Sequence, residues 1–317
     1  MGISVILYGS IILVFVLKIY VIVTKGRCTS KAKLNGKTVL VTGANSGIGK
    51  ETAIDMAARG ARVILGCRNL KSAEETKQEI ISKTGNTNIV IYPIDFESLT
   101  SVRKFSELVH ENESRLDILI NNAGAGGLGN RRTEDGLRIL MQVNYFGPFL
   151  LTNLLLDLLK KSAPSRIVNV SSLFHILASL DSNDLNKYAS DFKNYGNSKL
   201  CNILMSNELA RKLEGTNVIS NSLHPGAVRT PIFKHIKWQY MFFMWFYYWW
   251  LFKNPEEGAQ TTIHCAVCEK VDGVTGKYFQ DCKRYWTSRV AQDKQLSEKV
   301  WNESMKLVKL KKTEIHY

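Results

Sequence analysis

The sequence predicts an α/β fold in which one parallel sheet is covered by helices on both faces. From residue 37 onward, short apolar runs of strand length alternate with longer, more polar helical stretches. Such alternation is typical of βαβ units, in which parallel strands are joined by helical crossovers. A glycine-rich turn at residues 42–49 follows the first apolar run and leads into a helical stretch. No linker rich in proline, glycine or serine divides the chain, so we expect one domain over residues 37–310.

Each predicted element follows from its local composition. Runs rich in Val, Ile and Leu predict buried strands, and the mixed stretches between them predict helices. The predicted strands cover residues 38–41, 62–65, 89–94, 118–121, 166–170, 218–223 and 274–279. The predicted helices cover residues 49–58, 72–84, 98–111, 134–161 (interrupted at Gly147 and Pro148), 195–213 and 259–267. The result is a doubly wound sheet of the Rossmann type.

The N-terminus predicts a membrane anchor. Residues 3–23 are apolar apart from Lys18, and about 20 apolar residues span a bilayer core. Residues 1–17 carry no charged side chain, which disfavours a cleaved signal peptide because such peptides begin with a basic region. The basic residues that follow place the domain in the cytosol by the positive-inside rule. We expect an anchor at 1–24, a basic juxtamembrane linker at 25–36 and a short tail at 311–317.

Charge and cysteine content exclude several functional classes. The net charge of +14 could suit a nucleic acid, but the basic residues are dispersed and match no nucleic-acid-binding motif. We therefore expect membrane lipid, and no nucleic acid, as a partner. Six cysteines show no compact secreted framework, and a cytosolic domain keeps its thiols reduced. Cys265 and Cys268 lack a second ligand pair, so we expect no metal.

An aromatic segment at residues 238–252 stands apart from the α/β pattern. It consists almost wholly of Trp, Tyr, Phe and Met and is too short to cross a bilayer. Tryptophan and tyrosine are favoured at membrane interfaces. We interpret the segment as an apolar substrate lid that also contacts the membrane, with a bulky core helix as the alternative.

The glycine-rich turn predicts a phosphate site. Glycines at Gly43, Gly47 and Gly49 allow a tight turn and a close approach of the backbone to a pyrophosphate at the start of a helix. The second predicted strand is followed by Arg68. In dinucleotide-binding folds that use NAD, an acidic residue at the end of this strand binds the ribose hydroxyl, and no such residue is present here. An arginine fits the additional phosphate of NADP instead. The sequence therefore predicts NADP(H).

Tyr195 and Lys199 predict acid–base chemistry. They stand four residues apart on a helical stretch and so share one face. A lysine ammonium close to the phenol would lower the tyrosine pKa by about one to two units. Ser172, at the end of a predicted strand, can hold a substrate oxygen, and Asn144 can order a water that connects the lysine to solvent.

In these motifs the chain resembles the short-chain dehydrogenase/reductase family, from about Gly36 to about Asp281. The resemblance implies a catalytic set of Asn144, Ser172, Tyr195 and Lys199, with Ser172 also binding substrate. It implies that the cofactor contacts Gly43, Asn45, Ser46, Gly47, Ile48, Gly49, Arg68, Asp95, Asn122, Ala123, Gly124, Tyr195, Lys199, Pro225 and Gly226. The resemblance also implies that Asp95 contacts the adenine of the cofactor.

The sequences of several motifs resemble those of the microsomal retinol dehydrogenase group. These motifs are Gly-Ala-Asn-Ser-Gly-Ile-Gly-Lys, Cys-Arg-Asn, Val-Asn-Val-Ser-Ser and His-Pro-Gly. The similarity implies an NADP(H)-dependent oxidoreductase of the endoplasmic reticulum that interconverts an apolar alcohol and its aldehyde or ketone, with retinal and retinol as the leading pair. A steroid or sterol ketone, or an isoprenoid aldehyde, is the alternative substrate. The alternative outside enzymes is a catalytically silent lipid-binding scaffold at the membrane.

Overall fold

The computed structural model describes residues 23–230 and 252–317, together with residues 8, 15, 16, 18, 19 and 21. It confirms the predicted α/β architecture, a largely parallel sheet with helices on both faces. Within the described parts of the chain, no helix is both long and apolar enough to cross a bilayer. The predicted anchor at 1–24 and aromatic segment at 238–252 lie largely outside the described residues and stay predictions.

Eight strands form the described sheet. They are β1 (Thr38–Thr42), β2 (Arg62–Cys67), β3 (Ile89–Pro93), β4 (Ile118–Asn121), β5 (Ser165–Val170), β6 (Val218–His224), β7 (Tyr278–Gln280) and β8 (Lys283–Arg284). Their spatial order is β3-β2-β1-β4-β5-β6-β7-β8, and only the β7–β8 pair is antiparallel. The order reverses between β1 and β4, and doubly wound sheets bind ligands beyond the carboxyl ends of the strands at such a point.

The helices cover the two faces in separate layers. They are α1 (Gly47–Ala58), α2 (Leu70–Thr84), α3 (Leu99–Asn112), α4 (Ile139–Met141 and Gly147–Leu154, joined by the π-helical turn Gln142–Phe146), α5 (Leu156–Lys161), α6 (Asp191–Lys212), α7 (Pro255–Val267) and α8 (Lys294–Leu307). One core cluster packs α3, α4, α6 and α8 on one face, and a second packs α1, α2 and α7 on the other. Leu40 belongs to the first cluster, whereas Val39 and Val41 belong to the second, as strand alternation requires.

Several predicted elements have different bounds, and two of the largest differences lie near a glycine. The helix predicted from residue 134 begins at Ile139, because Gly136 has φ +77° in a turn that precedes it. The interruption predicted at Gly147 and Pro148 is a π-helical turn that ends directly before them. The strand predicted from residue 274 begins at Tyr278, because Gly276 has φ +64°. Helix α8 and strand β8 were not predicted.

The segments flanking the predicted domain pack against it. In the segment at 25–36, the Cys28 N–H donates to Gln260 Oε1 at 3.1 Å. The Arg59 guanidinium donates to the Ser30 carbonyl at 3.0 Å, which ties the same segment to α1. At the C-terminus, Trp301 Nε1 donates to the Tyr317 hydroxyl at 2.9 Å. Both flanking segments are therefore held by specific contacts.

The buried carboxylate of Asp117 fastens the start of β1 to the start of β4. It accepts hydrogen bonds from the Thr38 N–H at 2.9 Å and from Arg115, and Lys37 Nζ lies 2.8 Å away. Asp117 is 2% exposed. We expect Asp117→Asn to lower the free energy of unfolding at neutral pH by about 1–3 kcal/mol, because it removes a charged acceptor from three donors.

The effect of Asp117→Asn should depend on pH. Burial opposes ionisation, but the hydrogen bonds from Arg115, Lys37 and Thr38 outweigh it and hold the pKa of Asp117 below its usual range. A carboxyl group whose pKa is lower in the folded state stabilises the fold above its unfolded-state pKa and loses that contribution in acid. Urea unfolding should therefore separate the wild type from the variant at neutral pH, and the difference should shrink as the pH falls through the folded-state pKa of Asp117. An equal difference at neutral and at acidic pH would contradict this role of Asp117.

Candidate active site

The turn between β1 and α1 brings backbone atoms unusually close together. Gly43 and Gly47 have φ +63° and +54°, in the left-handed region that glycine adopts without strain. A Cβ atom at Gly49 would lie 2.3 Å from the Gly43 carbonyl oxygen and 2.4 Å from Asn122 Nδ2. Only glycine fits at this position, which explains why the sequence contains a glycine there.

The N-terminus of α1 has the donors that a pyrophosphate needs. Within the described chain, the Ser46 side chain makes no capping hydrogen bond to the first turn of α1, and this turn holds no acidic residue. The N–H groups of Gly47, Ile48 and Gly49 therefore stay available, and the helix dipole favours an anion there. Asn45 holds the turn in place, because its Nδ2 donates to Ser72 Oγ at 2.7 Å. These residues fit the diphosphate of a dinucleotide cofactor.

The carboxyl end of β4 lies directly beside this turn. Thr42 Oγ1 accepts hydrogen bonds from the N–H groups of Asn122 and Ala123, both at 3.0 Å. Asn122 Nδ2 in turn donates to the Thr42 carbonyl at 2.8 Å. A Cβ atom at Gly124 would lie 3.4 Å from both Asn144 Oδ1 and Lys199 Nζ. The segment from Asn122 to Gly124 therefore joins the glycine turn to the predicted catalytic residues.

Helix α6 brings Tyr195 and Lys199 to the end of β5. The helix begins at Asp191, four residues earlier than predicted, because Ser190 caps it by accepting from the Lys193 N–H. The Tyr195 hydroxyl lies close enough to the Ser172 side chain to interact with it, and this interaction lowers the tyrosine pKa. Lys199 Nζ lies 5.6 Å from the centre of the Tyr195 ring and donates to the Val170 carbonyl at 3.1 Å. The structure thus brings Ser172, Tyr195 and Lys199 together, as the sequence predicts.

The electrostatics of this group differ from the sequence-based expectation. Burial raises the pKa of Tyr195 to about 12, and the interaction with Ser172 offsets only part of this effect. Burial also lowers the pKa of Lys199 to about 8. The expected lowering of the tyrosine pKa is therefore wrong, because the loss of hydration on burial is the largest effect on this phenol. Near neutral pH, Tyr195 is a protonated phenol beside a charged lysine.

Asn144 lies in the π-helical turn of α4 and is held on several sides. Its Oδ1 accepts from the Ala125 N–H at 2.8 Å, and its Nδ2 donates to the Ala125 carbonyl at 2.9 Å and to Ser198 Oγ at 3.2 Å. Its carbonyl accepts from Asn202 Nδ2 at 3.1 Å. Asn144 therefore fixes the segment after β4 against α6, and its predicted part in a water relay stays a prediction.

Arg68 and Asp95 lie at the ends of the neighbouring strands β2 and β3. Arg68 Nη1 is 3.5 Å from Asp95 Oδ1 and forms an ion pair with Glu97, and the arginine side chain is 61% exposed. The guanidinium is therefore close to the glycine turn of β1 and accessible to an incoming phosphate. The same phosphate would have to compete with Glu97.

Pro225 and Gly226 follow β6 and meet a buried ion pair that the sequence did not reveal. Lys253 Nζ is ion-paired with Asp281 and lies 3.4 Å from the Pro225 carbonyl oxygen. Gly226 has φ +94°, and a Cβ atom there would lie 2.9 Å from Lys253 Nζ. Lys253 thus packs against the turn after β6. No motif marks it in the sequence, since it follows the aromatic segment.

His175 is a second residue that the sequence reasoning missed. Its Nδ1 donates to the Ser172 carbonyl at 2.8 Å, and its Nε2 accepts from the Ser288 N–H at 3.3 Å. The ring also packs against Tyr278, with centroids 5.2 Å apart. Burial lowers the pKa of His175, so both contacts belong to the neutral imidazole. The only available signal was a histidine three residues after Ser172.

A family comparison agrees with this geometry. The family model described as short chain dehydrogenase matches residues 37–240, most of the chain. The chain belongs to this family. It is therefore an oxidoreductase, and the family indicates a nicotinamide cofactor.

Curated relatives match over nearly the whole chain. The chain is 42% identical to mouse (Mus musculus) retinol dehydrogenase 12, covering 89% of this chain and 90% of that protein. It is 43% identical to human (Homo sapiens) retinol dehydrogenase 13, covering 91% and 89%. It is 46% identical to mouse retinol dehydrogenase 14, covering 87% and 86%. The chain is thus similar to several retinol dehydrogenases along most of their length.

Solved structures share the fold. A putative uncharacterized protein from Mycobacterium paratuberculosis superposes with a TM-score of 0.73 at 28% identity, covering 90% of this chain and 98% of that one. A Pseudomonas aeruginosa protein solved as an active-site complex with NADP superposes with a TM-score of 0.62 at 27% identity, covering 78% and 95%. These likenesses support the Rossmann-like architecture described above.

Proposed function

We propose that this short-chain dehydrogenase uses NADP(H) to interconvert an apolar alcohol and its aldehyde or ketone, with retinal and retinol as the leading pair. The observation that carries the proposal is the contact of Tyr195 with Ser172 beside the buried Lys199. When bound, the nicotinamide supplies or accepts the hydride. Ser172 holds the substrate oxygen, and Tyr195 exchanges a proton with it.

The protonation state of Tyr195 favours reduction. A buried phenol with a pKa of about 12 carries its proton at neutral pH and can donate it to a carbonyl oxygen that gains negative charge. Oxidation needs the phenolate, which the same burial disfavours. We therefore propose that Tyr195 is the proton donor when the enzyme reduces an aldehyde or ketone, the direction we assign as the main one.

Lys199 gives this reaction a pH dependence. Its pKa is about 8, so the ammonium is present below this value and lost above it. A positive charge beside the reacting oxygen stabilises the negative charge that develops there. We expect kcat/KM for reduction to fall as the pH rises through about 8, measured by the rate of NADPH oxidation. In Lys199→Arg, whose guanidinium keeps its charge, any remaining activity should not show this fall. A wild-type profile that stays flat well above this pH would contradict the role of Lys199.

Arg68 is the proposed basis for choosing NADP(H) over NAD(H). Arg68 follows strand β2, where dinucleotide-binding folds contact the adenosine ribose, and its side chain is 61% exposed, which supports a role in binding the ribose phosphate. We expect Arg68→Ala to lower the preference for NADPH over NADH in kcat/KM by about tenfold to a hundredfold, since one charge-assisted phosphate contact is lost. Glu97→Gln is the matched variant, because it removes the ion pair with Glu97 and leaves Arg68 only the longer contact with Asp95, and it should strengthen NADPH binding. Preference of the wild type for NADH would contradict this assignment.

The surroundings of Tyr195 suit an apolar substrate. Phe174 contacts the Tyr195 ring edge to face, with centroids 5.7 Å apart, and also contacts Phe192 at 4.9 Å. Phe174 is 38% exposed and Phe192 54%, so apolar surface borders the catalytic candidates. The similarity to retinol dehydrogenases supports a retinoid or a similar lipid. With the predicted anchor at 1–24, the proposal places the domain on the cytosolic side of the endoplasmic reticulum membrane.

A substrate panel in detergent tests the proposed function. Purified full-length protein is assayed with retinal, a steroid ketone and farnesal, each with NADPH and with NADH. We expect NADPH-dependent reduction of retinal to be fastest. A steroid ketone or farnesal preferred over retinal would replace the retinoid assignment by the alternative substrates, and no reduction of any carbonyl compound would contradict the proposed function.

A further inference from the structure

The carboxyl ends of β6 and β7 carry a row of polar side chains on one face of the sheet. This polar row consists of Ser222, His224, Tyr278 and Gln280, which pair in register as Ser222 with Tyr278 and His224 with Gln280. The alternate pair, Leu223 and Phe279, packs into the core cluster on the opposite face, with α1 and α7. Tyr278 belongs to the cluster that contains α6. The polar row therefore faces the same layer as Tyr195.

Every member of the polar row has a buried polar atom without a hydrogen-bond partner in the described structure. These atoms are Ser222 Oγ, His224 Nδ1, the Tyr278 hydroxyl and Gln280 Oε1. Ser222 is 0% exposed and Tyr278 is 4% exposed. Buried polar groups in native proteins are nearly always satisfied, and those that are not require an explanation. Four such atoms on one face of two neighbouring strands point to a polar group that binds there.

The polar row begins beside the proposed reacting groups. Burial raises the pKa of the Tyr278 phenol, and the nearby phenols of Tyr285 and Tyr195 raise it further. His175 covers the Tyr278 ring and donates to the Ser172 carbonyl, so it connects the row to the serine that contacts Tyr195. The apolar side chains of Phe174 and Phe192 extend from Tyr195 in the same region. A molecule that reacts at Tyr195 would thus meet both an apolar surface and the polar row.

From this arrangement we infer that the polar row binds a second oxygen of the substrate. Among apolar carbonyl compounds of matching length, including retinoids, one that also carries a hydroxyl or keto group is then preferred over its analogue without that group. The row offers donors from Ser222 and Tyr278 and an acceptor from Gln280, so it can bind either kind of oxygen. A site built to hydrogen-bond a substrate hydroxyl discriminates strongly against the analogue that lacks it. This inference rests on the proposed function, because it concerns the substrate of the same site.

Pairs of aldehydes with and without a terminal hydroxyl group test the inference. Each aldehyde from hexanal to dodecanal is compared with its terminal hydroxy derivative. The chain length at which the hydroxyl has an effect then measures the separation between Tyr195 and the polar row. We expect the hydroxyl to raise kcat/KM by about tenfold or more at one or two chain lengths and to have little effect at the others. Calorimetric binding of the corresponding alcohols and diols measures the same preference without turnover.

Conservative variants assign the preference to the polar row. Tyr278→Phe, Ser222→Ala and Gln280→Met each delete one polar group with little change in shape, and we expect each to reduce the hydroxyl preference. Because the deleted Tyr278 hydroxyl has no partner within the described chain, Tyr278→Phe should fold with an equal or higher melting temperature. Tyr92→Phe is the matched control, since Tyr92 lies in β3, at the opposite edge of the sheet, and its hydroxyl bonds to Glu113. This variant should keep the preference.

The outcomes separate this inference from the proposed function. If plain and hydroxylated aldehydes are reduced equally at every length, or if the preference survives all three variants, the polar row binds only water and the inference is wrong. If no aldehyde is reduced at all, the proposed function fails. The affinities of the diols and of the corresponding alcohols then still test whether the polar row binds a second oxygen. Equal affinities would contradict the inference.

Discussion

Tyr195→Phe is expected to lower kcat for carbonyl reduction by about a hundredfold to ten-thousandfold, the usual contribution of a positioned general acid. The change deletes one hydroxyl and keeps the ring, whose packing against Phe174 should hold. Only the contact with Ser172 is lost in the described structure. NADPH oxidation with a saturating aldehyde measures the effect, and the affinity for NADPH should change little.

The control for this variant is Tyr188→Phe. Tyr188 precedes the same helix, and its hydroxyl donates to Asp191 at 3.2 Å. The variant therefore also removes one tyrosine hydroxyl, but one that bonds to Asp191 and not to Ser172. We expect near wild-type turnover. If Tyr195→Phe also retained normal turnover, Tyr195 could not be the proton donor.

Gly49→Ala is expected to have the second large effect, on cofactor binding and stability together. The new Cβ atom would lie 2.3 Å from the Gly43 carbonyl oxygen and 2.4 Å from Asn122 Nδ2, so the turn between β1 and α1 must open. Overpacking of this kind costs about 1–3 kcal/mol. We expect a lower melting temperature, and NADPH affinity reduced by about tenfold or more because the N–H groups of the turn move.

Gly66→Ala is the matched control for this variant. It makes the same change in the neighbouring strand β2, where the nearest atoms, in Ile94 and Phe105, would lie 3.4 Å from the added Cβ, an ordinary contact. The control should bind NADPH nearly as the wild type does. Equal loss of NADPH binding in both variants would show that the close approach at Gly49 is not what the cofactor needs.

The sequence was sufficient to predict the fold class because the strands are continuous apolar runs. Strand β4 at Ile118–Asn121 has the predicted bounds, and the other strands of the inner sheet agree within a residue or two. The less accurate boundaries lie where the conformation of one residue decides the outcome. Gly136 and Gly276, both with positive φ, delay a helix and a strand, and the capping bond from Ser190 starts α6 early.

The candidate site was predictable as a set of residues but not as a charge distribution. Motif spacing was sufficient to place Ser172, Tyr195 and Lys199 in one group. The sign of the tyrosine pKa shift depends on burial, which a local spacing does not reveal, and burial reversed the expectation. The polar row was invisible in the sequence, because it appears only when the register of β6 against β7 is known.

The central claim is that this chain reduces a carbonyl group by hydride transfer with Tyr195 as the proton donor. Isotope transfer tests it most directly. NADPH that carries deuterium in place of both hydrogens at C4 of the nicotinamide is incubated with retinal and the purified full-length protein, and the alcohol formed is analysed by mass spectrometry. We expect retinol that carries deuterium at the former carbonyl carbon, formed by the wild type and by Tyr188→Phe but hardly by Tyr195→Phe. Unlabelled retinol, or labelled retinol formed equally fast by Tyr195→Phe, would contradict the claim.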